Sequence, residues 1–196
     1  MPDPWWRAHK RSLIYGLGVI VLIAASVAIQ RYQSQGSGVP APAGSVHVSG
    51  APRSELLAPG TPIPGFSAPA LGGGEISWSD YAGSPVVLAI WASWCPHCQA
   101  ELPRLDAVVD QFPAVRMLTI TTAIGERRGP SPAGFMKDQG LDFPVARDDA
   151  KHTLLEAFGV QVFPTFYLVS SDSTVVRSIE GETDEGTLRT LIGGLR

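Results

Sequence analysis

The sequence predicts an α/β fold in which helices flank a mixed central sheet. Three observations carry this. Val86 to Trp91 is an unbroken apolar run of strand length, as expected for a strand covered on both faces. Leu102, Leu105, Val109 and Phe112 then recur at spacings of three and four, which draws one stripe on a helix. Strand and helix patterns go on alternating before the chain closes on a hairpin and a last helix.

In chain order, residues 1–11 carry Arg7, Lys10 and Arg11, and residues 12–29 form a run of about 18 without a charged side chain. As a helix that run spans roughly 27 Å, close to the roughly 30 Å of a hydrocarbon core. The basic cluster precedes it and only Arg31 follows closely, so the expected topology is a cytoplasmic start, a single-pass anchor in the cytoplasmic membrane and a domain on the outer face. A cleavable signal peptide ending near Ser26-Val27-Ala28 is the competing reading, and it exports the domain equally. No cysteine follows the run to take a lipid. Residues 30–60 are rich in Gly, Ser, Ala and Pro without periodicity and read as a flexible tether.

The folded domain is expected over 61–196. Phe66–Ala70 and Glu75–Trp78, separated by Gly72-Gly73-Gly74, predict a hairpin. Val115–Thr121 is the strand after the striped helix, and Ala133–Gln139 a helix inside the inserted stretch. Phe143–Ala146 predicts a short strand, followed by a helix capped by Asp149 and ended by Gly159. Thr165–Val169 and Thr174–Ile179 predict an antiparallel hairpin around Ser171-Asp172-Ser173. Leu188, Leu191, Ile192 and Leu195 share one face of the closing helix.

The 196 residues are 44% hydrophobic, enough for one core, and the net charge of −3 leaves no basic excess to neutralise phosphates, so nucleic-acid binding is set aside. Only two cysteines occur, three apart in Trp94-Cys95-Pro96-His97-Cys98. A disulfide-stapled scaffold carries more, at wider spacings, so this pair reads as chemistry. At the start of a helix the first sulfur lies near unpaired N–H groups and the positive end of the dipole, which favours its thiolate. Cys95 is therefore the expected nucleophile, and Cys98, one turn further in, the resolving thiol. Pro96 suits the first helical position, which needs no N–H.

Trp91-Ala92-Ser93-Trp94-Cys95-Pro96-His97-Cys98, with Phe163-Pro164-Thr165 later, resembles the thioredoxin superfamily, and more narrowly its membrane-anchored TlpA/ResA-type thiol-disulfide oxidoreductases. Pro64-Gly65-Phe66, the segment between Thr121 and Ala150, and Gly159-Val160 extend the likeness over residues 60–196. The resemblance implies a thioredoxin-like fold whose four-stranded core carries an N-terminal hairpin addition and an inserted segment, with a cis peptide before Pro164 and a kink at Pro103. It also implies exchange with protein disulfides and dithiols, a membrane partner that supplies or accepts electrons, no cofactor, and a family-level link to cytochrome c maturation. Glu101 matches an acidic position of TlpA/ResA-type sequences and is the candidate to manage the Cys98 proton, since the preceding strand carries Ala89 where thioredoxin resembles an Asp. His97 can stabilise the Cys95 thiolate and so make the disulfide more oxidising. Pro164 is expected against the redox pair. Trp94, Phe163 and Thr165 are expected to meet substrate, the backbone of Phe163 by strand addition.

Direction of electron flow stays open, because Pro96-His97 resembles oxidising DsbA-type proteins while the surrounding domain resembles reductants. Zinc usually needs four ligands and the histidines near this domain are His47, His97 and His152, so no metal site is expected, with a copper-delivery module of similar fold as the non-enzyme alternative. A peroxidase of related fold would resemble a Thr three positions before its reactive cysteine, where this chain has Ala92.

Overall fold

The computed structural model describes residues 44–195, so the apolar run at 12–29 and the basic residues that flank it lie outside the described residues. Among the described residues no helix is long and apolar enough to cross a membrane. Eight strands and four α-helices follow one another among the described residues: β1 (His47–Val48), β2 (Phe66–Pro69), β3 (Glu75–Ser77), β4 (Val86–Trp91), α1 (Pro96–Val109), β5 (Arg116–Thr121), α2 (Pro132–Gln139), β6 (Val145–Arg147), α3 (Thr153–Ala157), β7 (Thr165–Val169), β8 (Val175–Glu180) and α4 (Glu185–Gly193).

Five strands form the main sheet in the order β6-β5-β4-β7-β8. The pairs β4/β5 and β5/β6 are parallel, whereas β4/β7 and β7/β8 are antiparallel. Four of these are the expected core; the fifth, β6, comes from the inserted segment and extends the edge of β5. Every residue of the central strand β4 is buried, and its side chains split by the period of two that a strand imposes. Val87, Ala89 and Trp91 join the core under α1 and α4, while Val86, Leu88 and Ile90 join a second core with Phe66, Phe158 and Tyr167.

The expected boundary at residue 61 moves toward the N-terminus. β1 pairs with β2, Arg53 N donates to Glu156 O at 2.8 Å, and Leu57 is buried with its N–H on Tyr167 Oη at 3.3 Å. The second half of the expected tether is thus folded on the domain. Composition hid this because these ties join residues about a hundred positions apart and leave no local period. Both edges of the main sheet are covered: Gly60 N, at the end of this stretch, donates to Val175 O on β8, and Leu71 N, just after β2, donates to Val145 O on β6, each at 2.8 Å.

Two local expectations also shift. The strand expected at 143–146 is Val145–Arg147, because Phe143 turns into the core beneath α1 and α2. In front of α3, Asp149 accepts from Thr153 N, but Asp148 takes the next two amides, Leu154 N at 2.8 Å and Leu155 N at 3.0 Å. Adjacent aspartates therefore share the capping assigned to one. Gly159 ends that helix at φ +66, and a Cβ there would overlap the carbonyl of Glu55.

Candidate active site

The strand β4 delivers the cysteine pair to the start of α1. Cys95 is the N-cap, with extended backbone (φ −83, ψ 117), and Pro96 takes the first helical turn. The cap carries no side-chain oxygen, so the first-turn N–H groups of α1 have no competing acceptor there and remain available to a negative sulfur. Both cysteines are free thiols. Cys95 keeps a 5% exposed edge, and Cys98 is fully buried among Leu102, Leu105 and Phe166. Burial pushes the Cys98 thiol well above its ordinary range, and the neighbouring Cys95 adds to the rise. The asymmetry suits a pair in which one sulfur meets a partner and the other answers from inside.

The β7 side of the site is built on the Phe163–Pro164 peptide, which is cis as expected. The Cys95 thiol donates to Phe163 O at 3.7 Å. The Phe163 ring meets Trp94 edge to face at 5.9 Å, so the two expected substrate contacts form one aromatic rim. Pro164 is buried behind it, and its carbonyl accepts from Gly181 N at 2.8 Å. Thr165, expected to meet substrate, does not face solvent: it is fully buried and its hydroxyl donates to Val162 O at 2.7 Å. It enters the sheet between Ile90 and Glu180 and so shapes the loop from within.

Glu101 is fully buried, which helical spacing alone did not reveal. Its Oε2 accepts from Arg104 Nη1 at 2.6 Å and its Oε1 from Thr183 N at 3.1 Å. Burial raises its carboxyl above the ordinary value, with the Thr183 N–H and the Arg104 guanidinium pulling the other way and Glu182 adding to the rise. Among the described residues no hydrogen bond joins Glu101 to Cys98. His97 is exposed, and its Nδ1 lies 2.6 Å from Glu182 Oε1. The imidazole is therefore held by a carboxylate across the site, a partner the sequence did not suggest.

That partner belongs to a turn that sequence reasoning missed altogether. Gly181 binds the proline loop, Glu182 holds His97, and Thr183 ties to Glu101 through its N–H and to Arg104 through its carbonyl. The only local signals were Gly181 and the Asp184 cap of α4, which mark a turn but not its neighbours. Trp91 is structural, fully buried, with its ring 5.5 Å from that of Phe135 at a tilt of 56°. Among the described residues no three of His, Cys, Asp or Glu converge as metal ligands. Ala92 is buried three residues before Cys95, so that position offers no hydroxyl to a peroxide.

Residues 59–178 match the AhpC/TSA family. The chain is 25% identical over 179 residues to the thiol-disulfide oxidoreductase ResA of Bacillus subtilis, spanning 91% of this chain and 90% of that relative. It is 28% identical over 131 residues to sporulation thiol-disulfide oxidoreductase A of the same species, spanning 66% and 78%. A secreted Mycobacterium tuberculosis disulfide oxidoreductase homologous to E. coli DsbE superposes with a TM-score of 0.58 at 27% identity, over 66% of this chain and 96% of that structure. With one thiol at a solvent edge, a second thiol buried behind it and a cis-proline loop, the chain belongs to the AhpC/TSA family as a thioredoxin-fold thiol-disulfide oxidoreductase of the ResA-like kind.

Proposed function

We propose that this protein works outside the cytoplasmic membrane, tethered by residues 12–29, and passes electrons from its Cys95/Cys98 dithiol to protein disulfides. The observation that carries the reading is the contrast between Cys95, at the helix cap with its sulfur toward the Phe163 carbonyl, and Cys98, buried one turn inside. The Cys95 thiolate attacks one sulfur of the substrate disulfide; that S–S bond breaks, and the leaving sulfur takes up a proton. Cys98 then gives up its proton and attacks Cys95 Sγ, so the mixed disulfide breaks, the Cys95–Cys98 bond forms and the second substrate thiol leaves. Two electrons reach the substrate for each dithiol oxidised. A membrane redox partner must restore the pair, and apocytochrome c is a fitting substrate class for a ResA-like reductase.

Glu101, three residues along the same helix face, manages the Cys98 proton through an intervening water, since each carboxylate oxygen keeps a second lone pair beyond its bond to Arg104 or Thr183. A buried Cys98 that resists ionisation adds no thiolate stabilisation to the reduced form, which favours a reductant. The opposing observation is the Pro96-His97 dipeptide, and it keeps a DsbA-like oxidant as the second reading. Mixing the pre-reduced full-length chain with a disulfide-bonded protein tests the proposal: two substrate thiols should appear for each chain oxidised. No thiol release refutes exchange, and tight stoichiometric copper binding in its place supports the copper-delivery module.

A further inference from the structure

A second element crowds the rim of the redox pair. The loop from Ala123 to Pro130, between β5 and α2, is pinned to the two residues just before Cys95. Trp94 Nε1 donates to Ala123 O at 2.9 Å and Ser93 Oγ to Pro130 O at 2.8 Å. Gly129 approaches so closely that a Cβ there would lie 2.7 Å from Trp94 Cα. Among the described residues three non-glycine residues have positive φ, and two of them anchor this loop, Ala123 at φ 51 and His152 at φ 59, the latter bound to Glu126 at 2.6 Å. Left-handed backbone at such residues is disfavoured and gathers where function holds it.

The surface this loop presents has a definite chemistry. Its one acid, Glu126, is engaged by His152. Arg127 lies over the Trp94 ring, 4.6 Å from its centroid, and both Arg127 and Arg128 are exposed. Among the described residues neither arginine has a carboxylate within ion-pair distance, although the chain as a whole carries a net charge of −3. Of the exposed large hydrophobic residues, Ile124 (40%) follows the Trp94-bound carbonyl and Val162 (45%) precedes the Phe163 that meets Trp94. Cations and apolar side chains thus surround one aromatic pair beside the nucleophile.

We infer that this loop is a selectivity element: together with Trp94 and Val162 it docks the polypeptide around the reacting cysteine of substrates that carry acidic side chains, next to an apolar residue, within a few positions of that cysteine. The inference rests on the exchange chemistry proposed above. Arg127 and Arg128 supply unneutralised charge that steers an acidic segment and rejects a basic one, while Ile124 and Val162 receive the apolar neighbour. Because Arg127 is stacked on Trp94, its charge is held at the rim rather than free in solvent.

The test uses the full-length chain in detergent and two cyclic disulfide peptides that differ only in having Glu or Lys pairs flanking the cysteines. Stopped-flow rates of mixed-disulfide formation should favour the Glu peptide by about tenfold at low ionic strength, and the preference should shrink in about 0.5 M salt. In the double variant Arg127→Gln/Arg128→Gln the ratio of the two rates should fall close to unity; taking a ratio removes any general loss of folding or reactivity. The uncharged hydroxyethyl disulfide, given to the unaltered chain, separates the two claims. If it exchanges normally while the peptides react equally, the selectivity inference is overturned; if it fails to exchange, the underlying function is.

Discussion

Replacing Glu101 with Gln keeps side-chain size and removes the one fully buried carboxyl of α1. Two losses follow from the geometry. The 2.6 Å charge-assisted bond from Arg104 becomes a donor facing a donor or a bond from the charged guanidinium to a neutral amide oxygen; bonds to charged groups contribute about 1.5–3 kcal/mol, less here because Arg104 is one-third exposed, and the desolvated carboxylate charge disappears with it. A net loss of about 1 kcal/mol in stability results. The kinetic effect should be larger and confined to one step. Losing a positioned base costs about 10²-fold, or about 2.7 kcal/mol of barrier, and it should fall on release of the mixed disulfide, which needs the Cys98 thiolate, while formation, driven by Cys95, stays nearly unchanged. Because burial raises the Glu101 carboxyl, the release rate should climb with pH through a step above the ordinary carboxylate range, and the Gln variant should lack that step. Stability should show the same group with opposite sign: the unfolded chain loses this proton at lower pH than the folded one, so stability falls as pH rises from the ordinary to the raised value. Stopped-flow traces of formation and release across pH decide the matter. Equal slowing of both steps, or an unchanged release rate, would refute the proton-handling role and leave Glu101 as a tie between α1 and the 181–183 turn.

Cys95→Ser should abolish exchange, whereas Cys98→Ser should accumulate substrate on Cys95, visible as a covalent adduct by mass spectrometry; in the reduced protein alkylation should reach Cys95 first, and faster labelling of Cys98 would reverse the roles. His97→Pro should make the couple more reducing by tens of millivolts, with 30 mV equal to about 1.4 kcal/mol, and Glu182→Gln should shift the potential measurably because Glu182 is the carboxylate that holds the ring; no shift in either variant would leave the pair as surface decoration. Tyr167→Phe removes the hydroxyl shared by Leu57 N and Phe158 O, so thermal unfolding should report a loss of about 2 kcal/mol, and no loss would show that the 53–57 stretch contributes little to the domain. In intact cells the domain should be cut by protease from the outer face and stay with membranes after an alkaline wash, while a shorter released form would place cleavage at Ser26-Val27-Ala28.

The elements that the sequence made legible are those whose signal is local. β4 reads as a doubly covered strand because all its residues are apolar, and α1 because Leu102, Leu105 and Val109 repeat at the helical period. The dithiol, Pro96 and the cis-proline loop were legible for the same reason, since their chemistry is written in adjacent letters. What stayed hidden depends on distant partners. The docking of Leu57 needs Tyr167, 110 residues away, and the burial of Glu101 needs Thr183, 82 residues away. A Glu in the first turns of a helix looks like a surface residue until another loop covers it. The rim built by Ala123, Arg127 and Gly129 left no local signal, because its contact with Trp94 comes from the return of β5 beside β4. Thr165 misled through its place in the motif: the residue after the proline already belongs to the central sheet.

Redox titration of the full-length chain in detergent, in defined thiol-disulfide buffers, tests the central claim most directly. One two-electron couple is expected, in which Cys95 and Cys98 join in a single disulfide, with a potential in the reducing range of thioredoxin, about −270 mV. A couple near about −120 mV, where DsbA-type oxidants lie, would contradict the reductant assignment, and failure of the two cysteines to form one reversible disulfide would contradict the dithiol mechanism itself.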